Sequence, residues 1–131
     1  MFTHIRTSTE NKFIVSDLTH KLGLGTENVI ARIAFAYSLS TNKHLSIENI
    51  KDNRGKEYKN NILFGNNLAH YIAMICVHYN LYKSDKNIPR YIKMHLDHGL
   101  ELINHEIKKN PNITGFDFIS SKIEAGLKFL N

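Results

Sequence analysis

The sequence has 131 residues, with 17 lysines and arginines against 12 aspartates and glutamates, a formal net charge of +5 and 42% hydrophobic residues. This length predicts one domain, residues 1–131, which buries roughly two-thirds of its unfolded surface and needs no cofactor or metal to fold. The single cysteine, Cys76, excludes an internal disulfide, a multi-cysteine zinc site and a self-contained cysteine-ligated iron–sulfur cluster.

No feature of the sequence points to export or to a membrane. The N-terminal residues lack the apolar core and cleavage site of a secretory signal. The longest apolar stretch, residues 68–77, is far shorter than the roughly 20 residues that cross a bilayer. We therefore expect a cytoplasmic protein with no membrane contact. Its basic charge is compatible with nucleic-acid binding but is also common on unrelated soluble proteins.

The first 40 residues have the order strand, helix, glycine turn, helix. Residues 2–6 favour a short strand, and a capping-box pattern that starts at Thr7 predicts a helix from about Ser8. Apolar residues recur along this helix at helical spacing until the glycine turn of residues 23–25 ends it. A second helix follows and runs to about Ser40.

This order matches the ribbon-helix-helix unit, a dimeric fold in which paired N-terminal strands enter the major groove of DNA. An ordinary strand that packs on its own helices fits the pattern equally well, because neither face of the strand is purely polar. The second helix is apolar almost all round over residues 29–39, which predicts burial on most sides and a subunit interface. We therefore expect an oligomer.

Residues 41–65 form a basic connector. Asparagines and glycines punctuate it, and we predict a turn at residues 53–55 and a short strand at residues 61–64. Its basic residues are Lys51, Arg54, Lys56 and Lys59.

Residues 66–131 predict three further helices, so the fold class is mainly α. The third helix runs from Asn66 or Asn67 to about Tyr82, the fourth has Pro89 in its first turn, and the last starts near Phe116. A second basic cluster comprises Lys83, Lys86, Arg90 and Lys93. We expect Arg90 and Lys93 to project into solvent together, since they are three residues apart on a helix.

Signals for catalysis are weak. His95, Asp97, His98 and Glu101 lie close together on the fourth helix, but a helical histidine pair without a further ligand at a known spacing is a poor metal signature. Packed or surface histidines are the usual explanation. Cys76 lies between apolar residues and is expected to be an inert buried thiol. We predict no catalytic residues and no metal site.

Five segments form a recognisable set: LGLGTENVIARIA at residues 22–34, GKEY at 55–58, LFG at 63–65, IPRYIK at 88–93 and HGLELI at 98–103. Together they resemble the DndE family, the small subunit of the bacterial Dnd DNA sulfur-modification (phosphorothioation) system. The resemblance covers roughly residues 1–107. The stretch after Asn110 is not part of it.

The resemblance implies a ribbon-helix-helix-like helical fold, a homotetramer, and binding of double-stranded DNA through surface lysines, with a preference for nicked duplex. It also implies partner subunits, because in this system a cysteine desulfurase and an iron–sulfur subunit replace a non-bridging phosphate oxygen of DNA by sulfur. Gly23 and Gly25 match the family's glycine turn, which lies close to subunit contacts. The other predicted interface residues, from the apolar second helix, are Ile30, Ile33 and Tyr37.

Charge clustering, rather than the resemblance, predicts the DNA-binding residues Lys21, Lys51, Arg54, Lys56, Lys83, Lys86, Arg90 and Lys93. The leading hypothesis is a non-catalytic DNA-binding subunit that presents the DNA backbone to partner sulfur-transfer subunits. One alternative is a ribbon-helix-helix transcriptional regulator or antitoxin that reads DNA with residues 2–40. The other is a metal-dependent nickase.

Overall fold

The structure, a computed structural model, describes residues 2–130. Across these residues it contains one two-stranded antiparallel sheet and six α-helices, in the order β1 (His4–Arg6), α1 (Thr9–Leu22), α2 (Glu27–Ser40), β2 (Glu57–Lys59), α3 (Asn60–Leu63), α4 (Leu68–Tyr79), α5 (Ile88–Lys109) and α6 (Gly115–Lys128). Single turns of 3-10 helix lie at Ile47–Asn49 and Gly65–Asn67. The predicted mainly α fold is confirmed.

The packing of α2 against α5 forms the centre of the core. Gly99 of α5 lies directly on the backbone of α2, where an added Cβ would stand 1.8 Å from the carbonyl oxygen of Ala34. Only glycine permits this close approach. Leu96 and Leu100 of α5 and Phe35 of α2 are fully buried beside it. Most of the apolar surface of α2 is therefore covered within the chain.

The N-terminal strand pairs inside the chain, which is the ordinary-strand alternative. Ile5 of β1 lies opposite Tyr58 of β2, and both side chains face the core. His4 and Arg6, on the other face of β1, are exposed. The sheet therefore attaches the basic connector to the N-terminus.

The predicted strand at residues 61–64 is wrong, because the strand lies earlier, at Glu57–Lys59, and α3 follows it. Leu63 and Phe64 are buried, and the Phe64 ring lies 5.2 Å from that of Phe35, centroid to centroid. These apolar residues thus pack on α2 instead of extending the sheet.

The start of α1 also differs from the prediction. Ser8, and not Thr7, caps α1, since its side chain accepts a hydrogen bond of 3.1 Å from the backbone N–H of Asn11. The backbone N–H of Thr7 donates to the carbonyl oxygen of Lys56 at 2.9 Å, which extends the pairing of β1 by one residue. The chain therefore turns into the helix one residue later than the capping-box pattern predicts.

The C-terminal helices occupy opposite ends of α5. α4 packs on the first half of α5, where the rings of Tyr79 and Tyr91 stack with centroids 4.0 Å apart. α6 packs at the other end, where Lys122 donates to Glu106 at 2.7 Å. α4 ends at Tyr79, with Asn80 as its C-cap, before the predicted Tyr82. Within residues 2–130, no helix has the length and apolar character that crossing a membrane requires.

Candidate nucleic-acid interface

The start of α5 brings the two basic clusters of the sequence together. Lys51, from the loop before β2, and Arg90, from the first turn of α5, line one cleft of about 630 Å³ that also includes Arg6 of β1. A neighbouring cleft of about 510 Å³ contains Lys83 and Lys86, and the two clefts share Pro89. We define the basic surface as Arg6, Lys51, Lys83, Lys86 and Arg90. The N-terminal end of the α5 dipole adds partial positive charge to it.

Three cations of the basic surface are free to contact a ligand. Lys83, Lys86 and Arg90 are exposed, and within residues 2–130 they form no salt bridge. An unpaired cation on the surface can neutralise a phosphate without first giving up a carboxylate. These three residues therefore form the strongest part of the candidate site.

The other two cations of the basic surface are paired with carboxylates. Arg6 donates to Glu57 at 2.7 and 2.9 Å, and this hydrogen bond, although opposed by slight desolvation, lowers the pKa of Glu57. Lys51 donates to Glu101. Partial burial of Lys51 lowers its pKa, but the hydrogen bond and charge of Glu101 outweigh burial, so the pKa of Lys51 is raised. Phosphates must compete with these carboxylates, so both residues are secondary contacts.

Lys93 does not project into solvent with Arg90, contrary to the prediction. It is 6% exposed, and its Nζ lies 2.5 Å from Oδ2 of Asp97, which is also buried. Asp97 accepts two further hydrogen bonds, from the backbone N–H of Ser8 at 3.0 Å and from Nδ2 of Asn11 at 2.9 Å. Burial outweighs these contacts and raises the pKa of Asp97. Lys93 therefore joins α5 to the start of α1 beneath the basic surface.

Arg54 and Lys56 lie beside the basic surface, in the loop that precedes β2, and both are exposed. Asp52 holds this loop against α1. Its carboxylate accepts hydrogen bonds from the hydroxyl and the backbone N–H of Thr9 and from the backbone N–H of Arg54, which lower the pKa of Asp52 to about 2. Both cations thus stand on a fixed loop, and Arg54 lies 3.9 Å from the carboxylate of Asp52.

Lys21 lies away from the other predicted DNA-binding residues. It is at the end of α1, next to Leu22, whose carbonyl oxygen contacts Gly115 at the start of α6. Arg90 lies at the opposite end of α5, a helix of 22 residues. The helical rise places the two ends of α5 roughly 30 Å apart. Lys21 is therefore not part of the basic surface, and its DNA contact stays a prediction.

The predicted interface residues divide into exposed and covered ones. Gly23 and Gly25 are exposed, and Gly23 ends α1 in the left-handed conformation with φ 61°. Ile30 is 1% exposed and belongs to the core of the chain, so its assignment to a subunit interface is wrong. Ile33 is half-buried against the core. The hydroxyl of Tyr37 bonds to Glu106 and Lys122, which places it under α6.

Comparison with known proteins identifies the family. The model of the family described as DNA sulphur modification protein DndE matches residues 4–110. The chain belongs to the DndE family. Among solved structures it is similar to the crystal structure of DndE from Escherichia coli B7A, described as involved in DNA phosphorothioation modification. The identity is 18%, the TM-score is 0.64, and the match covers 79% of this chain and 98% of that one. No curated protein matches.

In this member of the DndE family, His95 and His98 of α5 belong to a packed network. Nδ1 of His95 and Nδ1 of His98 lie 2.8 and 2.7 Å from the hydroxyl oxygen of Ser38, and Nε2 of His95 lies 2.5 Å from that of Tyr79. Burial, with smaller contributions from neighbouring histidines, lowers the pKa of His95 to about 4. His95 is thus neutral at neutral pH.

The residues considered for a nickase are engaged elsewhere. His95 bonds to Ser38 and Tyr79, whereas Asp97 bonds to Lys93. Over residues 2–130, no three histidine, cysteine or acidic side chains are placed to hold a metal ion together. Cys76, predicted to be buried, is half-buried and lines an apolar groove on α4.

Sequence reasoning missed one member of the basic surface. The sequence predicts only that Arg6 lies on a strand with neither face purely polar, yet Arg6 lines the same cleft as Lys51 and Arg90. The signal was present in the alternation of β1, which places His4 and Arg6 on the face opposite Ile5. What the alternation could not show is that the exposed face meets the start of α5.

Proposed function

We propose that this DndE-family protein is a non-catalytic subunit of the phosphorothioation machinery that binds double-stranded DNA and presents its backbone to partner sulfur-transfer subunits. The observation that carries the proposal is the basic surface around the start of α5, with its three unpaired cations Lys83, Lys86 and Arg90. Membership of the DndE family supports the link to DNA sulfur modification.

The chemistry of the basic surface favours phosphates over bases. Apart from Arg6 on β1, its cations stand on loops and on the first turn of a helix, positions from which proteins contact the DNA backbone and fix its orientation. Such contacts carry little sequence information. Sulfur modification acts on the same backbone, so a subunit that holds phosphates would leave the base edges free.

We further propose that nicked duplex binds more tightly than intact duplex and that the protein acts as a homotetramer. A nick interrupts one strand and makes the duplex easier to bend. Because the free energy of bending DNA is a substantial part of the cost of binding, a nicked duplex should cost less to bind. In a tetramer, several basic surfaces contact one duplex, so that individually weak phosphate contacts add up.

Fluorescence anisotropy of a labelled duplex tests the proposal, with intact and nicked DNA titrated over a range of salt concentrations. Three phosphates neutralised per protein chain give a slope of roughly −3 for log K against log salt. Replacing Lys83, Lys86 and Arg90 together by alanine should abolish most of that slope and of the affinity. The matched control is Lys109→Ala, an exposed lysine at the end of α5 opposite Arg90.

Two outcomes would contradict the proposal. Equal binding by the triple variant and the wild type would show that the basic surface is not the DNA site. Cleavage of the duplex in magnesium, and not in chelator, would overturn the non-catalytic assignment and favour the nickase alternative.

A further inference from the structure

α6 carries an apolar stripe that nothing within residues 2–130 covers. Phe116, Ile123, Leu127 and Leu130 are between 54% and 82% exposed. They follow one another after seven, four and three residues, which is the spacing of the seam that packs one helix against another in a coiled coil. We call these four residues the α6 stripe. Helical spacing places Asp117, Glu124 and Lys128 along its solvent edge, which therefore carries a net charge of −1.

Only the first half of α6 is attached to the body of the protein. Phe118 is fully buried, and Lys122 bonds to Glu106 and Tyr37. Every residue from 123 to 130 is exposed. The second half of α6 therefore extends beyond the body with Ile123 and Leu127 on it and Leu130 in the turn that follows, a costly arrangement in water unless another surface covers them.

A second apolar surface lies on α4. A groove of about 460 Å³ runs along this helix, and its lining residues, which we call the α4 groove, are Leu68, Ala69, Ile72, Ala73, Cys76, Val77 and Lys83. Ala69 and Ala73 make the groove concave because their side chains are small. Val77, on its wall, is 82% exposed. Lys83 is the only charged residue of the lining, so the groove is apolar with a basic end.

The two surfaces complement each other in shape and charge. The α6 stripe offers large side chains with an edge of net negative charge, and the α4 groove offers small side chains with a basic end. Pairing of two α6 stripes would set large side chains against large ones, whereas the small side chains of Ala69 and Ala73 leave space for them in the α4 groove. The groove of the same chain is out of reach, since α4 contacts Tyr91 and α6 contacts Glu106, roughly 22 Å apart along α5.

We infer that the α6 stripe of one copy docks in the α4 groove of a second copy. The contact joins two different surfaces, so each copy gives one helix and receives another, and the assembly either closes into a ring or grows. It does not use the glycine turn of residues 23–25. Because α6 follows the residues 4–110 that the family model matches, the contact is an addition to the family fold. The inference does not rest on DNA binding, although the contact shares Lys83 with the basic surface.

The native cysteine makes the contact directly testable, since Cys76 lines the α4 groove and the sequence has no other cysteine. Wild-type protein is mixed with a larger, tagged chain that carries Cys76→Ser and Leu127→Cys, and a short bismaleimide is added. The matched control carries Cys76→Ser and Ala125→Cys, an exposed position on another face of α6. Mass spectrometry of the joined peptides identifies the linked residues.

We expect the Leu127→Cys chain to link to Cys76 roughly a hundredfold faster than the Ala125→Cys chain at micromolar protein, because docking raises the effective concentration to the millimolar range. Equal rates for the two chains would overturn the inference. So would rapid linking of two Leu127→Cys chains to each other, which would show that two α6 stripes pair instead.

A charge exchange gives a second test in which the cysteine is unaltered. Glu124→Lys and Lys83→Glu should each lower the mass observed by analytical ultracentrifugation at a given concentration, and mixing the two variants should restore assembly, because each then meets an opposite charge. Glu48→Lys, an exposed site outside both surfaces, is the control. Assembly that is unchanged by either single variant, or not restored in the mixture, would refute the docking.

Discussion

Replacing Lys93 should unfold the protein more readily without weakening DNA binding by the folded molecule. Lys93→Met keeps most of the volume of the side chain but leaves the buried carboxylate of Asp97 without its cation. Removing one partner of a buried ion pair typically costs about 3–5 kcal/mol. Asp97 retains hydrogen bonds from Ser8 and Asn11, so we expect the lower end, about 3 kcal/mol.

A second substitution should recover much of this loss. Asp97→Asn in the Lys93→Met background removes the remaining charge, while the new amide can still accept from the backbone N–H of Ser8. Its N–H group can also donate to Oδ1 of Asn11, a buried atom without a hydrogen-bond partner among the described residues. We expect the double variant to be within about 1–2 kcal/mol of the wild type, since neutral replacement of a buried pair is often tolerated.

Urea unfolding followed by circular dichroism at pH 7 measures these differences, and anisotropy below the unfolding transition measures DNA affinity. The control is Arg90→Met, one helical turn earlier, whose exposed side chain should change stability by no more than about 0.5 kcal/mol. Equal stabilities of Lys93→Met and Arg90→Met would refute the reasoning. So would a loss of DNA affinity in folded Lys93→Met as large as that in Arg90→Met.

Three further predictions concern the core and the helix ends. Burial holds the pKa of His95 near 4 in the folded protein, whereas an unfolded histidine titrates near 6.5, so the unfolded chain binds the proton first as the pH falls. The folded state is therefore stabilised by neutral His95 above pH 6.5, and it loses about 3 kcal/mol of that stability as the pH falls towards 4. Urea unfolding between pH 7 and pH 4 should show this loss of stability in the wild type and in the exposed-site control His70→Gln, and a smaller loss in His95→Gln. The same dependence of stability on pH in all three proteins would contradict the prediction. Gly99→Ala should destabilise by about 3 kcal/mol because its Cβ meets the backbone of Ala34, whereas Gly126→Ala, with open space around it on α6, should be neutral or slightly stabilising in thermal unfolding. If both alanine variants unfold alike, the close approach of α2 and α5 is not as described. Ser8→Ala should cost about 1 kcal/mol through loss of the α1 cap, more than Glu10→Ala in the same assay, and the reverse order would restore the capping box that starts at Thr7.

Local spacing predicted the helices well and the sheet poorly. The apolar repeat of residues 92–107 and the glycine turn at residues 23–25 depend on neighbours in sequence, and α5 and the end of α1 follow them. β2 depends on a partner strand near the N-terminus, which no short window of sequence contains. The sequence therefore predicts a strand at residues 61–64, whereas the buried residues of this segment, Leu63 and Phe64, pack on α2.

In the candidate site, too, local features could be predicted from the sequence and contacts between distant segments could not. Charge clustering found Lys83, Lys86 and Arg90, because exposed lysines and arginines need no partner to remain exposed. It misassigned Lys93, since helical spacing gives the direction of a side chain but not what lies above it, and here the start of α1 covers the helix. The separation of Lys21 from the other cations likewise depends on the path of α5, which charge alone does not reveal.

The basic surface is assembled from parts of the chain that are distant in sequence. Arg6 and Arg90 stand 84 positions apart, and the sheet and the Ser8 to Asp97 hydrogen bond are what bring their segments together. An unfolded chain, or a fragment that stops before α5, carries scattered charges without this surface. The proposed DNA binding would therefore require the completely folded protein. Incomplete or misfolded chains in the cell would compete poorly for the duplex, and bound DNA would stabilise the native fold by mass action.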